Sequence, residues 1–210
     1  MFTGIVQGKA TVESNNINNG IMRLVVKLPK QNTKQLLIGA SVAINGCCLT
    51  VVNTDNFPLV PFDVIDETLN VTNLGNIKSS DTVNFERSAK VGDEIGGHTV
   101  SGHVSALAII KKIDKNQDNV SIRFEIDQKF TAYIFDKGFV ALDGCSLTVC
   151  DVKDNQFSVS FIPETLQATI FGDHFIGKQI NFEIDSSTQT TVDTIKRLLP
   201  DMLKNIELST

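Results

Sequence analysis

Four short words occur twice in this chain, in the same order and at nearly constant separation. Thr3-Gly4-Ile5-Val6 returns as Ser101-Gly102-His103-Val104, 98 residues later. Asn45-Gly46-Cys47-Cys48-Leu49-Thr50-Val51 returns at the same distance as Asp143-Gly144-Cys145-Ser146-Leu147-Thr148-Val149. Glu67-Thr68-Leu69 returns as Glu164-Thr165-Leu166, and Val83-Asn84-Phe85-Glu86 as Ile180-Asn181-Phe182-Glu183, both 97 residues later. Collinear blocks with a single one-residue slip mean one structural unit present twice. The chain therefore reads as two homologous domains, residues 1–97 and 98–187, meeting near Gly96-Gly97, with a separate segment at 188–210.

Each copy reads as β structure. Ile122, Phe124 and Ile126 alternate with polar residues, as do Phe157, Val159 and Phe161, and Ile180, Phe182 and Ile184. Period two with one apolar face predicts half-buried strands. Polar clusters at Ser14–Gly20 and Asp114–Asn119 predict turns. Several short strands per copy, with no helices between them, favour a small closed antiparallel barrel, because closure removes exposed edges. The slipped residue falls near Asn56-Phe57-Pro58, and Pro61 fits an edge or a bulge better than a central strand. The fold class expected is all-β, two tandem barrels plus a C-terminal helix.

That helix begins near Thr188, where Val192, Ile195, Leu199, Met202 and Ile206 recur at steps of three and four. Its apolar stripe lies outside both repeats. It either crosses a barrel or meets copies of itself, and Pro200 is expected to kink it.

Composition narrows the classes. The chain is 41% hydrophobic and 20% charged, enough for a real core, and its net charge of −5 without a basic block disfavours nucleic acid. No apolar run approaches the roughly 18 residues of a membrane span. The opening MFTGIVQGKATV lacks a basic segment followed by an apolar one, so no secretory signal is read and a cytoplasmic location is expected.

Cys47, Cys48, Cys145 and Cys150 form no C-x-x-C pair, and neighbours on a strand face opposite ways. Redox and metal readings are weak on that spacing, and buried thiol is the default. The copies differ where their roles can differ. Cys48 becomes Ser146, Ile5 becomes His103, and Ser88 becomes Asp185. Two non-equivalent sites for one ligand would suit a reaction between identical molecules. The bland readings stand beside this: a strand histidine such as His98 or His103 is more often structural than catalytic, Glu67-Thr68 and Glu164-Thr165 can simply end strands, and Lys137 can be a solvated charge.

MFTGIV, NGCCLTV with its echo DGCSLTV, DVIDETL with FIPETL, and GGHTVSGHV closely resemble the α-chain type of riboflavin synthase, from Met1 to the helix. The resemblance implies two six-stranded Greek-key barrels and homotrimers assembled through the helix. It implies a dismutation in which two molecules of 6,7-dimethyl-8-ribityllumazine exchange a four-carbon unit, with no metal and no organic cofactor. It carries over a first pocket of Gly4-Ile5-Val6, Cys48-Leu49-Thr50 and Asp63-Val64-Ile65-Asp66-Glu67-Thr68. The second pocket would comprise Gly102-His103-Val104, Lys137, Ser146-Leu147-Thr148 and Ser160-Phe161-Ile162-Pro163-Glu164-Thr165. It implies a working site between the first barrel of one subunit and the second barrel of another. His103 is the expected proton-transfer group, Cys48 a candidate to polarise or add to the acceptor ring, and Asp185 a support for the base.

Association with the lumazine-making enzyme is left open by the resemblance. Asp66, the Phe57–Phe62 segment and Pro200 depart from the family pattern. The rival from another class is a non-catalytic lumazine or flavin carrier of the same duplicated fold, which tends to lose the histidine-bearing motif. A structural β-module without ligand fits worst, because both copies keep their C/S-L-T and Glu-Thr-Leu words.

Overall fold

The computed structural model describes residues 1–210 except 31, 32, 34, 117, 118 and 208–210, and only the backbone of 201–207. The first copy contains β1 (Gly8–Asn18), β2 (Ile21–Lys27), β3 (Ser41–Ile44), β4 (Cys47–Thr50), β5 (Leu59–Ile65), the short helix α1 (Asp66–Val71) and β6 (Thr82–Arg87). The second repeats the series as β7 (Ala106–Asn116), β8 (Asn119–Glu125), β9 (Phe139–Leu142), β10 (Cys145–Lys153), β11 (Gln156–Phe161), α2 (Pro163–Ala168) and β12 (Gln179–Ile184). Helix α3 (Ser186–Glu207) follows.

Both sheets are antiparallel and share one strand order, β4-β3-β6-β1-β2-β5 and β10-β9-β12-β7-β8-β11. The second closes into a barrel where β10 meets β11. At the corresponding place in the first, β4 and β5 touch through a single bridge, Val51 to Phe62, and Val52 N donating to Pro61 O at 3.1 Å. Sequence explains the difference. β10 runs on to Lys153, whereas β4 stops at Thr50 before the inserted residue and the Phe57-Pro58 turn. Pro61 has no N–H and lies in β5, the last strand of the order, as the edge reading required.

The alternating apolar residues fill the barrels. Phe62 and Phe85 are fully buried in the first, and Phe124, Phe157 and Phe182 in the second. The other phase of β6 and β12 departs from expectation: Asn84, Glu86, Asn181 and Glu183 are buried too. These two strands are covered on both faces because their polar side faces the other copy.

That seam has approximate twofold symmetry. Asn84 N donates to Asn45 Oδ1 at 2.8 Å, and Asn181 N to Asp143 Oδ1 at 2.9 Å. Across the seam, Asn84 Nδ2 donates to Asp143 O at 2.9 Å and Asn181 Nδ2 to Asn45 O at 2.8 Å. Each side-chain oxygen then accepts from the opposite copy, Asn84 Oδ1 from Ile170 N and Asn181 Oδ1 from Asn73 N. Buried amides are tolerated here because they are hydrogen-bonded; leaving one unpaired costs about 1–3 kcal/mol. A small apolar cluster of Phe2, Ala43, Val100 and Ala141 completes the contact.

α3 leaves the barrels almost uncovered. Tyr133 Oη donates to Asp193 Oδ1 at 2.5 Å, and Lys196 Nζ lies 4.5 Å from the Tyr133 ring centre. Val192 is half-buried, but Ile195, Leu198 and Leu199 stay exposed, so the described part of the stripe crosses no barrel in the single chain. Met202 and Ile206, also read into the stripe, lie where side chains are not described. Pro200 sits inside the helix. No helix among the described residues is long and apolar enough to cross a membrane.

Candidate functional site

Strand periodicity sorts the cysteine-bearing words. On β4, Cys47 and Leu49 point into the barrel, while Cys48 is half-buried and Thr50 exposed. On β10, Cys145 and Leu147 point in, and Ser146 and Thr148 point out. Burial pushes the Cys47 thiol up to about 12, with the neighbouring Cys48 and Glu183 adding to the effect. Burial does the same to Cys145, also to about 12. Neither is a thiolate at neutral pH, so neither is a nucleophile. All four cysteines are free.

The expected grouping of the pocket residues is wrong in one respect. Gly4-Ile5-Val6 does not join Cys48, nor Gly102-His103-Val104 Ser146. Ser146 N donates to Gly4 O at 2.8 Å, and Cys48 N donates to Gly102 O at 2.9 Å. Val6 packs on the core of the second barrel and Val104 on the core of the first. Each repeat thus lends its opening segment to the other barrel, and His103 travels with Cys48. Gly102 makes the close approach possible. Its φ is +86°, and a Cβ there would stand 2.5 Å from Cys48 Cβ.

The lent segments are held at their root by two buried glutamates that the sequence reading did not single out. Glu86 Oε1 accepts from Thr3 N at 2.7 Å and from Thr3 Oγ1 at 2.8 Å. Glu183 Oε1 accepts from Ser101 N and Oγ, and Oε2 from Gly102 N at 3.1 Å. The signal was available: both glutamates end a repeated word, and their partners begin one. Burial raises both carboxyls, Glu86 to about 6, against the hydrogen bonds that lower them.

Because Glu86 binds its proton more tightly folded than unfolded, its contribution to stability is complete below the ordinary value of 4.5 and disappears as pH rises through about 6. The loss amounts to about 2 kcal/mol. Glu86→Gln should flatten urea-unfolding stability between pH 4.5 and 7.5 by that amount; an unchanged slope would refute the assignment.

The remaining expected residues divide by exposure. Asp63, Ile65, Asp66 and Glu67 are exposed and Thr68 half-buried on the first barrel. Lys137, Ser160, Ile162, Pro163 and Glu164 are exposed and Thr165 half-buried on the second. Leu49, Val64, Leu147 and Phe161 are core side chains, leaving only their main chain for a ligand. Asp63 is held by Arg23, with Nε at 2.5 Å and Nη2 at 3.0 Å.

Asp185 is less free than expected: its Oδ1 accepts from Thr188 N at 2.7 Å, capping α3. His98, expected to be structural rather than catalytic, lies outside the strands and meets Ser146 Oγ through Nδ1 at 2.7 Å. Among the described residues, no group of three or more His, Cys, Asp or Glu is placed to hold a metal. A cavity of about 580 Å³ lies on the seam, lined by Asn45, Asn73, Asp143 and His174 among others, and shares no residue with either outward surface.

The chain is thus a duplicated barrel whose two outward surfaces are alike in main chain and unlike at Cys48/Ser146 and Ile5/His103. Residues 3–88 and 101–185 each match the Lumazine binding domain family. The riboflavin synthase of Escherichia coli (strain K12) is 48% identical over 200 residues, covering 95% of this chain and 93% of that protein. The chain belongs to the riboflavin synthase family. The riboflavin synthase of Chlamydia pneumoniae is 42% identical over 199 residues, covering 95% of this chain and 97% of its own length. That of Bacillus subtilis (strain 168) is 36% identical over 186 residues, covering 88% and 85%. Among solved structures, LumP complexed with riboflavin superposes with a TM-score of 0.82 at 24% identity, covering 89% of this chain and all of that one. LumP complexed with 6,7-dimethyl-8-(1'-D-ribityl) lumazine gives 0.80 at 22%, with the same coverage. At that identity the likeness to LumP is one of fold.

Proposed function

We propose that this riboflavin synthase family member catalyses the dismutation of two molecules of 6,7-dimethyl-8-ribityllumazine, giving riboflavin and 5-amino-6-ribitylaminouracil. The observation that carries the reading is the pair of similar but chemically unequal surfaces. Cys48, Thr50, Asp63–Thr68 and the lent Gly102-His103-Val104 form the first. Ser146, Thr148, Lys137, Ser160–Thr165 and the lent Gly4-Ile5-Val6 form the second. Two like surfaces accept two like ring systems, and their differences let one molecule donate and the other accept. Much of the acceleration comes from holding the two rings together, worth up to about 7–11 kcal/mol in well-oriented systems. The rest is proton transfer at the methyl group of one ring, for which exposed His103 is the candidate.

The working site would form between the first barrel of one subunit and the second of another. Ile5, Ile65 and Ile162 are exposed on these surfaces, and such an arrangement would cover them. The uncovered stripe of α3 supplies the contact for a homotrimer. Deleting residues 192–210 should yield monomers by light scattering, and an intact trimer would refute the assignment. Mixing the protein with 6,7-dimethyl-8-ribityllumazine and following riboflavin absorbance tests the activity. Tight binding without product would favour a carrier; neither binding nor turnover would sink both readings.

A further inference from the structure

His98 is the one histidine whose ring nitrogen reaches an outward-facing pocket residue within hydrogen-bond distance among the described residues. Its surroundings are built rather than incidental. His98 is 8% exposed as a residue, and its ring stacks on Phe139, with centroids 5.3 Å apart and planes 18° from parallel. The preceding Gly97 presses against the serine, since a Cβ there would stand 2.6 Å from Ser146 Cβ and 2.8 Å from Oγ. Ser146 is also fixed from the other side, its N–H bonded to Gly4 O. The hydroxyl therefore stands between a rigid main chain and an immobilised imidazole.

In the first barrel the equivalent strand position holds Cys48, and among the described residues no histidine ring nitrogen is hydrogen-bonded to it. The pair thus breaks the symmetry of the duplication a second time, independently of His103.

We infer that His98 is a positioning residue for the second surface: its Nδ1 accepts the Ser146 hydroxyl proton, so that the serine oxygen offers its lone pairs to the bound ring. The neutral ring with its proton on Nε2 leaves Nδ1 as the acceptor this requires. Burial lowers the pKa of His98 and keeps it neutral, partly opposed by the nearby charge of Asp185. Ser146 then presents an electron-rich oxygen, where the first surface presents the Cys48 thiol. The enzymatic consequence rests on the riboflavin synthase reading; the tautomer and the hydrogen bond do not.

Two measurements test it. In ¹⁵N-histidine-labelled protein without ligand, the His98 signals should report an unprotonated Nδ1 and should shift in Ser146→Ala. A proton on Nδ1, or His98 signals indifferent to Ser146→Ala, overturns the inference whether or not the protein turns lumazine over. In the riboflavin assay, His98→Ala should lower kcat about 10- to 100-fold with KM changed less than threefold. His98→Asn, whose amide can occupy the place of Nδ1, should recover most of the loss. In a Ser146→Ala background, His98→Ala should cost nothing further. Equal losses in both backgrounds would make His98 a packing residue only and overturn the role. Wild-type protein that binds but does not convert lumazine would remove the functional reading, and the NMR result would still decide the pairing.

Discussion

Gly46→Ala should destabilise the whole molecule by about 2–5 kcal/mol, read as a large drop in urea midpoint with one cooperative transition. Asn45-Gly46 and Asp143-Gly144 are the turns of the β3–β4 and β9–β10 hairpins, both residues of each pair having positive φ. The turns cross on the pseudo-twofold. A Cβ on Gly46 would lie 2.4 Å from Gly144 N and 2.7 Å from its Cα. The obstacle is main chain, so no rotamer change relieves it, and φ of +75° is costly for alanine in any case. Relief requires the barrels to part, which breaks the Asn84–Asp143 and Asn181–Asn45 bonds as well. A variant with near-normal stability would mean that the seam is more yielding than its packing indicates.

His103→Ala should lower turnover at least about 100-fold while changing the dissociation constant for 6,7-dimethyl-8-ribityllumazine only a few-fold. The side chain is exposed, so its loss leaves no cavity. Its backbone anchors survive: His103 N donates to Ser101 Oγ at 3.0 Å, and Gly102 O still accepts from Cys48 N. Binding measured by fluorescence titration and turnover measured by riboflavin absorbance would separate the two effects. Equal losses in both would count against a chemical role and leave His103 as a wall of the first surface.

Much of the fold was legible because its signals are local. Period-two runs such as Ile180-Phe182-Ile184 identify strands whatever surrounds them, and the same rule parts Cys47 from Cys48. The repeated words revealed the duplication directly. What local pattern missed was the second face of β6 and β12. Asn181 and Glu183 fall on the polar phase of a half-buried strand, yet they and their counterparts Asn84 and Glu86 are buried where the two copies meet. Polarity in a strand tells only that a partner is needed, and here the partner is protein rather than water.

The residues of the candidate site were proposed from the resemblance, and their assembly was not legible. The residue sets around Cys48 and Ser146 follow from the matched words, but which opening segment completes which barrel does not. Thr3-Gly4 and Ser101-Gly102 are equivalent in a repeat, so sequence offers no preference between packing at home and packing across. The tertiary structure decides it through Glu86 and Glu183, which hold each segment's root on its own barrel, while the next carbonyl reaches the other. His98 was opaque as well. Its partner lies 48 positions away, beyond the reach of any local pattern.

The sequence by itself thus determined the duplication, the strand phases, the family and the pair of unequal surfaces, all carried by residues close together in the chain or matched by word. Only the tertiary structure decided the exchange of segments, the buried amide seam and the Ser146–His98 contact. Those depend on the angle at which two nearly identical barrels meet, which no local period encodes.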